Sequence, residues 1–213
     1  MKRLLALVTA LCLTFLLFSL ATQWVSDNEA YYRRQMIQND IPRVTGKSLK
    51  ELDEISDGLR DYLKRGDEKA LTPYFSKSEV DHMVDVYALF HLMRRLSLAA
   101  IVLAAMSFYV LAKRAGIRES LRSVGKATIV LIAAFALLAL LIAANFSKAW
   151  YTFHTLFFSN KLWLMDPEKD LMIQMLPEPF FFGMVKQIGL VMAVGLLILA
   201  SLAFLKGNRN EIK

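Results

Sequence analysis

The sequence predicts an all-α membrane protein, a four-transmembrane-helix bundle with a small, mostly helical extracytoplasmic cap. Of its 213 residues 56% are apolar, and the mean hydropathy of +0.40 is too high for an ordinary soluble domain. Four apolar runs approach the roughly 20 residues that cross the hydrocarbon core of a bilayer. No alternation of apolar and polar residues indicates a β-strand.

The predicted spans are free of charged residues. Lys2 and Arg3 precede the first run as they would precede a signal peptide, but the run is longer than a signal core, so we predict a retained anchor. None of the spans contains Asp, Glu, Lys, Arg or His, which argues against a proton relay or ion pathway through the membrane. The four predicted spans are residues 4–22, 96–112, 127–145 and 187–205.

The basic residues predict the orientation of these spans. Residues 113–126 hold five Lys or Arg against one acid, and the tail 206–213 holds three against one. Positive charge resists translocation, so both segments and both termini are expected in the cytoplasm. Residues 23–95 and 146–186 are then extracytoplasmic. The net charge of +7 is thus a topology signal, and no nucleic-acid partner is expected.

The cap, residues 23–95, carries helix signals of its own. Ser48 and Glu51 form a capping-box pattern ahead of a leucine stripe that ends at Gly66. A second start signal lies at residues 76–79, and no Pro or Gly follows before Gly116. The sequence therefore predicts one long helix that runs from the cap into the second span. It leaves open the structure between residues 25 and 47.

The second outer segment, residues 146–186, is rich in aromatic residues. Ten of the 24 aromatic residues of the chain fall in its first 37 positions. They suit either an interfacial belt or an apolar chamber at the membrane surface, and the residues alone leave both readings open. The polar groups among them are His154, Asn160, Asp166 and Asp170.

All three histidines lie in the predicted outer segments. His82 shares a helix face with Asp85, whereas His91 falls on the opposite face of the same helix and is expected to be an interfacial side chain. His154 comes from a separate segment, so His82 and His154 could meet at the outer interface. With one cysteine and three histidines, the chain can form neither an internal disulfide nor a zinc ribbon.

Taken in order, these motifs resemble the bacterial lipoprotein intramolecular transacylases. The resemblance covers nearly the whole chain, with four spans and a cap, although Lys161 stands where an acidic residue is more usual. The matching residues are Asp81-His82-Met83-Val84-Asp85-Val86 and Phe153-His154-Thr155-Leu156-Phe157-Phe158-Ser159-Asn160, then Trp163, Asp166-Pro167, Asp170, Pro177 and Phe180-Phe181.

The resemblance implies that the sn-2 acyl chain of a diacylglyceryl-cysteine moves to the α-amino group of the same cysteine. The partners would be the diacylated N-terminus of a lipoprotein and membrane lipids, with no cofactor or metal. The protein would be a monomer in the bacterial cytoplasmic membrane, with its active site on the extracytoplasmic face. Attack closes an eight-membered ring, so holding the reactants together is the main contribution that a protein can make.

Imidazole is the natural base for the substrate amine. We expect His154 as base and His82 as hydrogen-bond donor oriented by Asp85, although the sequence does not decide between the two histidines. Asn160 is the candidate for a second oxyanion donor, and Asp166 or Asp170 for orienting His154. Asp166 before Pro167 fits turn chemistry equally well. The expected substrate-binding residues are Phe153, Phe157, Phe158, Trp163, Phe180, Phe181, Asp166 and Asp170.

Two other functions fit the same residues. A non-catalytic sensor or assembly protein would use the aromatic residues to bind a lipid or another protein, and it would bind without turnover. A membrane hydrolase could use zinc held by His82, Asp85 and His154, although no His-Glu-x-x-His motif is present.

Overall fold

The computed structural model describes residues 1–205, and this part of the chain is helical with no strand. The predicted cytoplasmic tail, residues 206–213, lies outside the described residues. The α-helices are α1 (Lys2–Ser26), α2 (Glu29–Gln38), α3 (Ile41–Thr45), α4 (Leu49–Arg65), α5 (Lys77–Ala115), α6 (Ile117–Ala144), α7 (Phe146–Phe157), α8 (Leu171–Met175) and α9 (Glu178–Ser201). Two 3₁₀ turns cover Glu68–Ala70 and Leu202–Phe204.

Four helices are long and apolar enough to cross a membrane: α1, α5, α6 and α9 with its 3₁₀ extension. The predicted spans fall on these four helices, so the all-α, four-span fold class is confirmed. The chain divides into two compact units. The membrane unit comprises residues 1–22, 93–144 and 188 onward, and the cap unit comprises residues 23–92 and 145–187.

The membrane unit packs through small residues. Ala100 and Ala104 of α5 are buried in a cluster with Cys12 of α1. The Thr9 and Ser107 hydroxyls are hydrogen-bonded at 2.8 Å within the unit. A Cβ on Gly125 would lie 2.2 Å from the backbone nitrogen of Ala203, so α6 and the 3₁₀ turn after α9 require glycine there. Such close backbone approach is typical of helices packed in lipid.

The cap unit has a core of large side chains. The apolar stripe of α4 is buried, and its start and end are as predicted. Ser48 and Glu51 form the capping box, and Gly66 ends the helix at φ 73°. Residues 25–47, left open by the sequence, consist of the end of α1 followed by α2 and α3.

Helix α5 is continuous over 39 residues, as the sequence predicts. Glu79 caps its start, because a side-chain oxygen accepts the Ser76 N–H at 2.7 Å. Gly116, at φ 76°, follows its end. His82 lies near the start of this helix, 14 residues before the predicted span at Leu96.

Candidate active site

His82 of α5 and His154 of α7 lie side by side in the cap unit, as the sequence suggests. Their ring centroids are 6.3 Å apart and the ring planes are 26° from parallel. Both residues are buried, with 8% and 6% of their surface exposed. His91 is exposed and stacks on Tyr87 instead.

The tautomer of His154 follows from its hydrogen bond within α7. Its Nδ1 lies 2.8 Å from the carbonyl oxygen of Trp150, four residues earlier on the helix. A carbonyl oxygen only accepts hydrogen bonds, so Nδ1 carries the hydrogen. In the neutral ring the lone pair is therefore on Nε2, the nitrogen available as a base.

Burial keeps both rings neutral. The pKa of His82 is lowered to about 4 by desolvation and by His154, against a smaller raising effect of Asp85. Desolvation also lowers the pKa of His154, although the bond to the Trp150 carbonyl opposes this. The Nδ1 atom of His82 is buried and has no hydrogen-bond partner among the described residues. Such an atom is costly to leave unpaired, and a substrate group could pair with it.

Aromatic side chains cause this burial. Phe158 is 7% exposed. Its ring centroid lies 5.2 Å from that of His82 and 5.5 Å from that of His154. Trp163 lies 4.9 Å and Phe153 5.3 Å from the His154 ring. Of these three expected substrate-binding residues, Phe158 therefore contacts both rings, whereas Trp163 and Phe153 contact His154.

Asp85 and Asn160 are arranged differently from the expectation. The Asn160 side-chain amide donates to the Asp85 carboxylate at 2.7 Å, and among residues 1–205 no hydrogen bond joins Asp85 to His82. The backbone carbonyl of Asn160 accepts the Trp163 indole N–H at 3.0 Å. Asp85 thus anchors the segment that carries Trp163, and its predicted role in orienting the His82 ring stays a prediction.

Phe180 does not belong to the site. It is 1% exposed and packs between Tyr31 and Tyr32 in the core of the cap unit, with the Tyr31 hydroxyl donating to its carbonyl oxygen. Phe181 stacks on Trp150 at 4.4 Å, and so it packs against the residue that binds His154. Phe157 is 52% exposed and touches Phe153. Phe180 is buried and Phe181 is half-buried. Residues 180–182 are all phenylalanine, so the sequence does not indicate this difference.

Asp166 and Asp170 form a turn of their own. The Asp170 carboxylate accepts the Asp166 backbone N–H at 2.7 Å, and Asp166 accepts from the Glu168 N–H and pairs with Lys169. Neither carboxylate is hydrogen-bonded to His154 among residues 1–205, and the Trp150 carbonyl holds that ring instead. This is the turn chemistry typical of Asp before Pro.

Sequence reasoning assigned no role to Trp150, and it placed Glu79 on the helix face of His82 without predicting its partner. Trp150 provides the carbonyl for His154, and its ring lies 4.5 Å from that imidazole. Its position four residues before His154 on one helix was the available signal. Glu79 is 3% exposed, and it accepts the Met172 N–H at 2.7 Å while also capping α5. Nothing in the sequence indicates that long-range bond.

Comparison with known proteins identifies the family. The family model described as lipoprotein intramolecular transacylase Lit matches residues 7–181. The chain belongs to this family. It is accordingly an enzyme of the lipoprotein intramolecular transacylase class and a membrane protein.

Solved structures of a family member have the same fold. The chain is similar to the membrane integral lipoprotein intramolecular transacylase Lit from Bacillus cereus, with 32% identity, a TM-score of 0.81, and 95% and 94% of the two chains covered. Two variants of that protein, with one histidine replaced by arginine or by alanine, match at a TM-score of 0.77 and 32% identity. Each match covers 95% of this chain, and 90% and 92% of the two variant chains. No curated protein sequence matches the chain.

The zinc alternative lacks a ligand set. Within residues 1–205 no group of three or more His, Cys, Asp or Glu side chains is placed to hold a metal ion. The arrangement of His82, Asp85 and His154 therefore does not favour a zinc hydrolase.

Proposed function

We propose that this transacylase moves the sn-2 acyl chain of a diacylglyceryl-cysteine onto the α-amino group of the same cysteine, with the two histidines as acid–base groups. The observation that carries the proposal is the buried pair itself, with Nδ1 of His154 bonded to the Trp150 carbonyl beside the His82 ring. The substrate provides its own nucleophile, so no serine or cysteine nucleophile is required.

In the reaction, a bond forms between the amine nitrogen and the ester carbonyl carbon. The bond from that carbon to the glyceryl oxygen breaks, and the proton lost by the amine ends on the glyceryl oxygen. The ring that closes has eight members, and fixing its reactive conformation can contribute up to about 7–11 kcal/mol. The rigid aromatic wall of Phe158 and Trp163 suits this task.

His154 is the better base of the two. Its Nε2 carries the lone pair, and the carbonyl bond at Nδ1 stabilises the imidazolium that forms when it takes the proton. His82, with a pKa lowered to about 4, is a weaker base that remains neutral. A neutral imidazole can donate a hydrogen bond to a carbonyl oxygen and polarise it. We assign that role to His82.

The charge distribution supports an extracytoplasmic site for the proposed reaction. The basic segment 113–126 supports a cytoplasmic location for the turn between α5 and α6. The cap unit, with the histidine pair, would then lie outside the cytoplasm. Both termini would be cytoplasmic.

Replacement of either histidine tests the proposal. His154→Gln and His82→Gln should each lower formation of the lyso-form lipoprotein by about 10²–10⁴-fold, because general acid–base groups contribute that much. The measurement is mass spectrometry of lipoproteins from a strain that depends on the enzyme. His91→Gln is the matched control, since His91 is exposed on the same helix as His82. Wild-type yields from both dyad variants would reject the histidine mechanism.

A further inference from the structure

Asp85 is an unneutralised carboxylate next to two neutral rings. Within residues 1–205 no lysine or arginine forms an ion pair with it, whereas Asp81, one turn earlier on α5, pairs with Lys77 at 2.8 Å. Asp85 is partly buried, and its charge acts on His82. A partly buried carboxylate attracts a nearby cation more strongly than one in bulk water does. This one lacks a cationic partner within the described chain.

The hydrogen bonds of Asp85 place it at the rim of the histidine pair. Asn160 donates to its Oδ2, which leaves Oδ1 with no partner among residues 1–205. The same Asn160 accepts from Trp163, whose ring lies 4.9 Å from His154. Two hydrogen bonds, from Asn160 to Asp85 and from Trp163 to Asn160, therefore connect the carboxylate to the ring that contacts His154. The buried, unpaired Nδ1 of His82 lies on the preceding turn of α5.

We propose that Asp85 binds the α-ammonium group of the diacylglyceryl-cysteine and thereby selects lipoproteins whose N-terminus is free. This inference rests on the proposed function. An α-amine has a pKa near 8 and is mostly cationic at neutral pH. The rings of His82, Phe158 and Trp163 carry no charge with which to hold a cation, although aromatic faces attract one. Asp85 provides the missing charge.

The same carboxylate assists the attack. The bound ammonium first releases one proton to the solvent. When the resulting neutral amine nitrogen adds to the ester carbon, the nitrogen becomes positive and the carbonyl oxygen negative. Asp85 stabilises the positive nitrogen until His154 takes its proton, while His82 donates to the oxygen. An N-terminus that is already acylated has neither the ground-state cation nor the nucleophile, so it loses this interaction. Asp85 is in this sense a specificity-determining residue.

The test measures binding with a substrate analogue that cannot react. A synthetic lipopeptide with two ether-linked chains has no ester to transfer, and it is prepared with either a free or an N-acetylated α-amine. The detergent-solubilised full-length protein should bind the free amine about tenfold more tightly than the acetylated form, as expected for one partly buried charge pair. Asp85→Asn should bring this ratio close to one, because it removes the charge but keeps an oxygen for Asn160.

Two variants separate charge recognition from a structural role. Asp81→Asn is the matched control on the same helix, and it should keep the wild-type ratio because Asp81 is already paired with Lys77. Asn160→Ala removes the anchor of the Trp163 segment but keeps the charge, so some preference for the free amine should remain. A wild-type ratio in Asp85→Asn, or a ratio of one in the wild type, overturns the inference. Transfer from the ester-linked lipopeptide, followed separately by mass spectrometry, tests the proposed function itself.

Discussion

The cap unit and the membrane unit bury different kinds of side chain. The fully buried residues of the cap unit are mostly large, as in Tyr31, Tyr62 and Phe180, whereas those of the membrane unit include Ala6 and Ala10. In water, burial of large apolar surface drives packing. In lipid that force is absent between helices, so small residues and close backbone contact replace it.

The polar groups follow the same division. The buried polar side chains of the membrane unit are hydroxyls, such as Thr9 and Ser107, which bond to each other. The buried polar and charged side chains of the cap unit include Glu79, His82 and His154. A dense aromatic core next to water can shift pKa values without the cost of placing charge in hydrocarbon. The comparison favours the cap unit as the place for the proposed acid–base chemistry.

The largest expected effect is on the core of the cap unit. Phe180→Ala should destabilise the protein by about 3–5 kcal/mol, because it opens a cavity between Tyr31 and Tyr32. Thermal unfolding in detergent, followed by intrinsic fluorescence, measures the loss. Phe157→Ala is the control, since that ring is 52% exposed and should cost far less. Equal losses in the two variants would mean that the cap unit does not have a core of large buried side chains like that of a water-soluble protein.

The buried histidines make stability depend on pH. Folding lowers the pKa of His82 from 6.5 to about 4, so the unfolded chain binds more protons in that window. The free energy of unfolding is therefore unaffected by protonation of His82 above pH 6.5. It falls as the pH decreases towards 4, by up to about 3 kcal/mol. Thermal unfolding of the wild type and His82→Gln between pH 4 and 7.5 checks it. The variant should lose less stability on acidification, and parallel curves would contradict the lowered pKa.

The smallest expected effect is on the hydroxyl pair of the membrane unit. Thr9→Val removes the bond to Ser107 but keeps the shape of the side chain, so it should cost only about 0.6 kcal/mol, the average for hydrogen bonds between membrane helices. The measurement is again thermal unfolding in detergent. A loss as large as that of Phe180→Ala would show that polar contacts, rather than close packing of small residues, stabilise the membrane unit.

Local signals predicted much of the fold. The capping box at Ser48 and the glycine at Gly66 bounded α4 correctly, because helix ends are decided by a few neighbouring residues. The uncharged apolar runs predicted the four spans because the length and composition of a run are also properties of neighbouring residues. Residues 29–45 lacked a clear stripe, and their helices α2 and α3 could not be assigned from the sequence.

The sequence predicted the two histidines of the candidate site but not the contacts that support them. The family motif pointed to His82 and His154, and the structure brings them together. The partner of His154 is a backbone carbonyl, which every residue has and no motif marks. Phe180 and Phe181 look alike in the sequence, yet one is in the core and the other stacks on Trp150.

The sequence by itself therefore determined that the chain is helical and membrane-spanning and which histidines could act, because composition, capping residues and apolar run length operate over a few neighbouring residues. Only the tertiary structure decided which atoms those histidines bond, which aromatic rings exclude water from them and that Asp85 has no ion-pair partner among residues 1–205. These properties depend on contacts between residues far apart in the chain, such as Asn160 with Asp85 and Met172 with Glu79, and they arise only when the cap unit has packed.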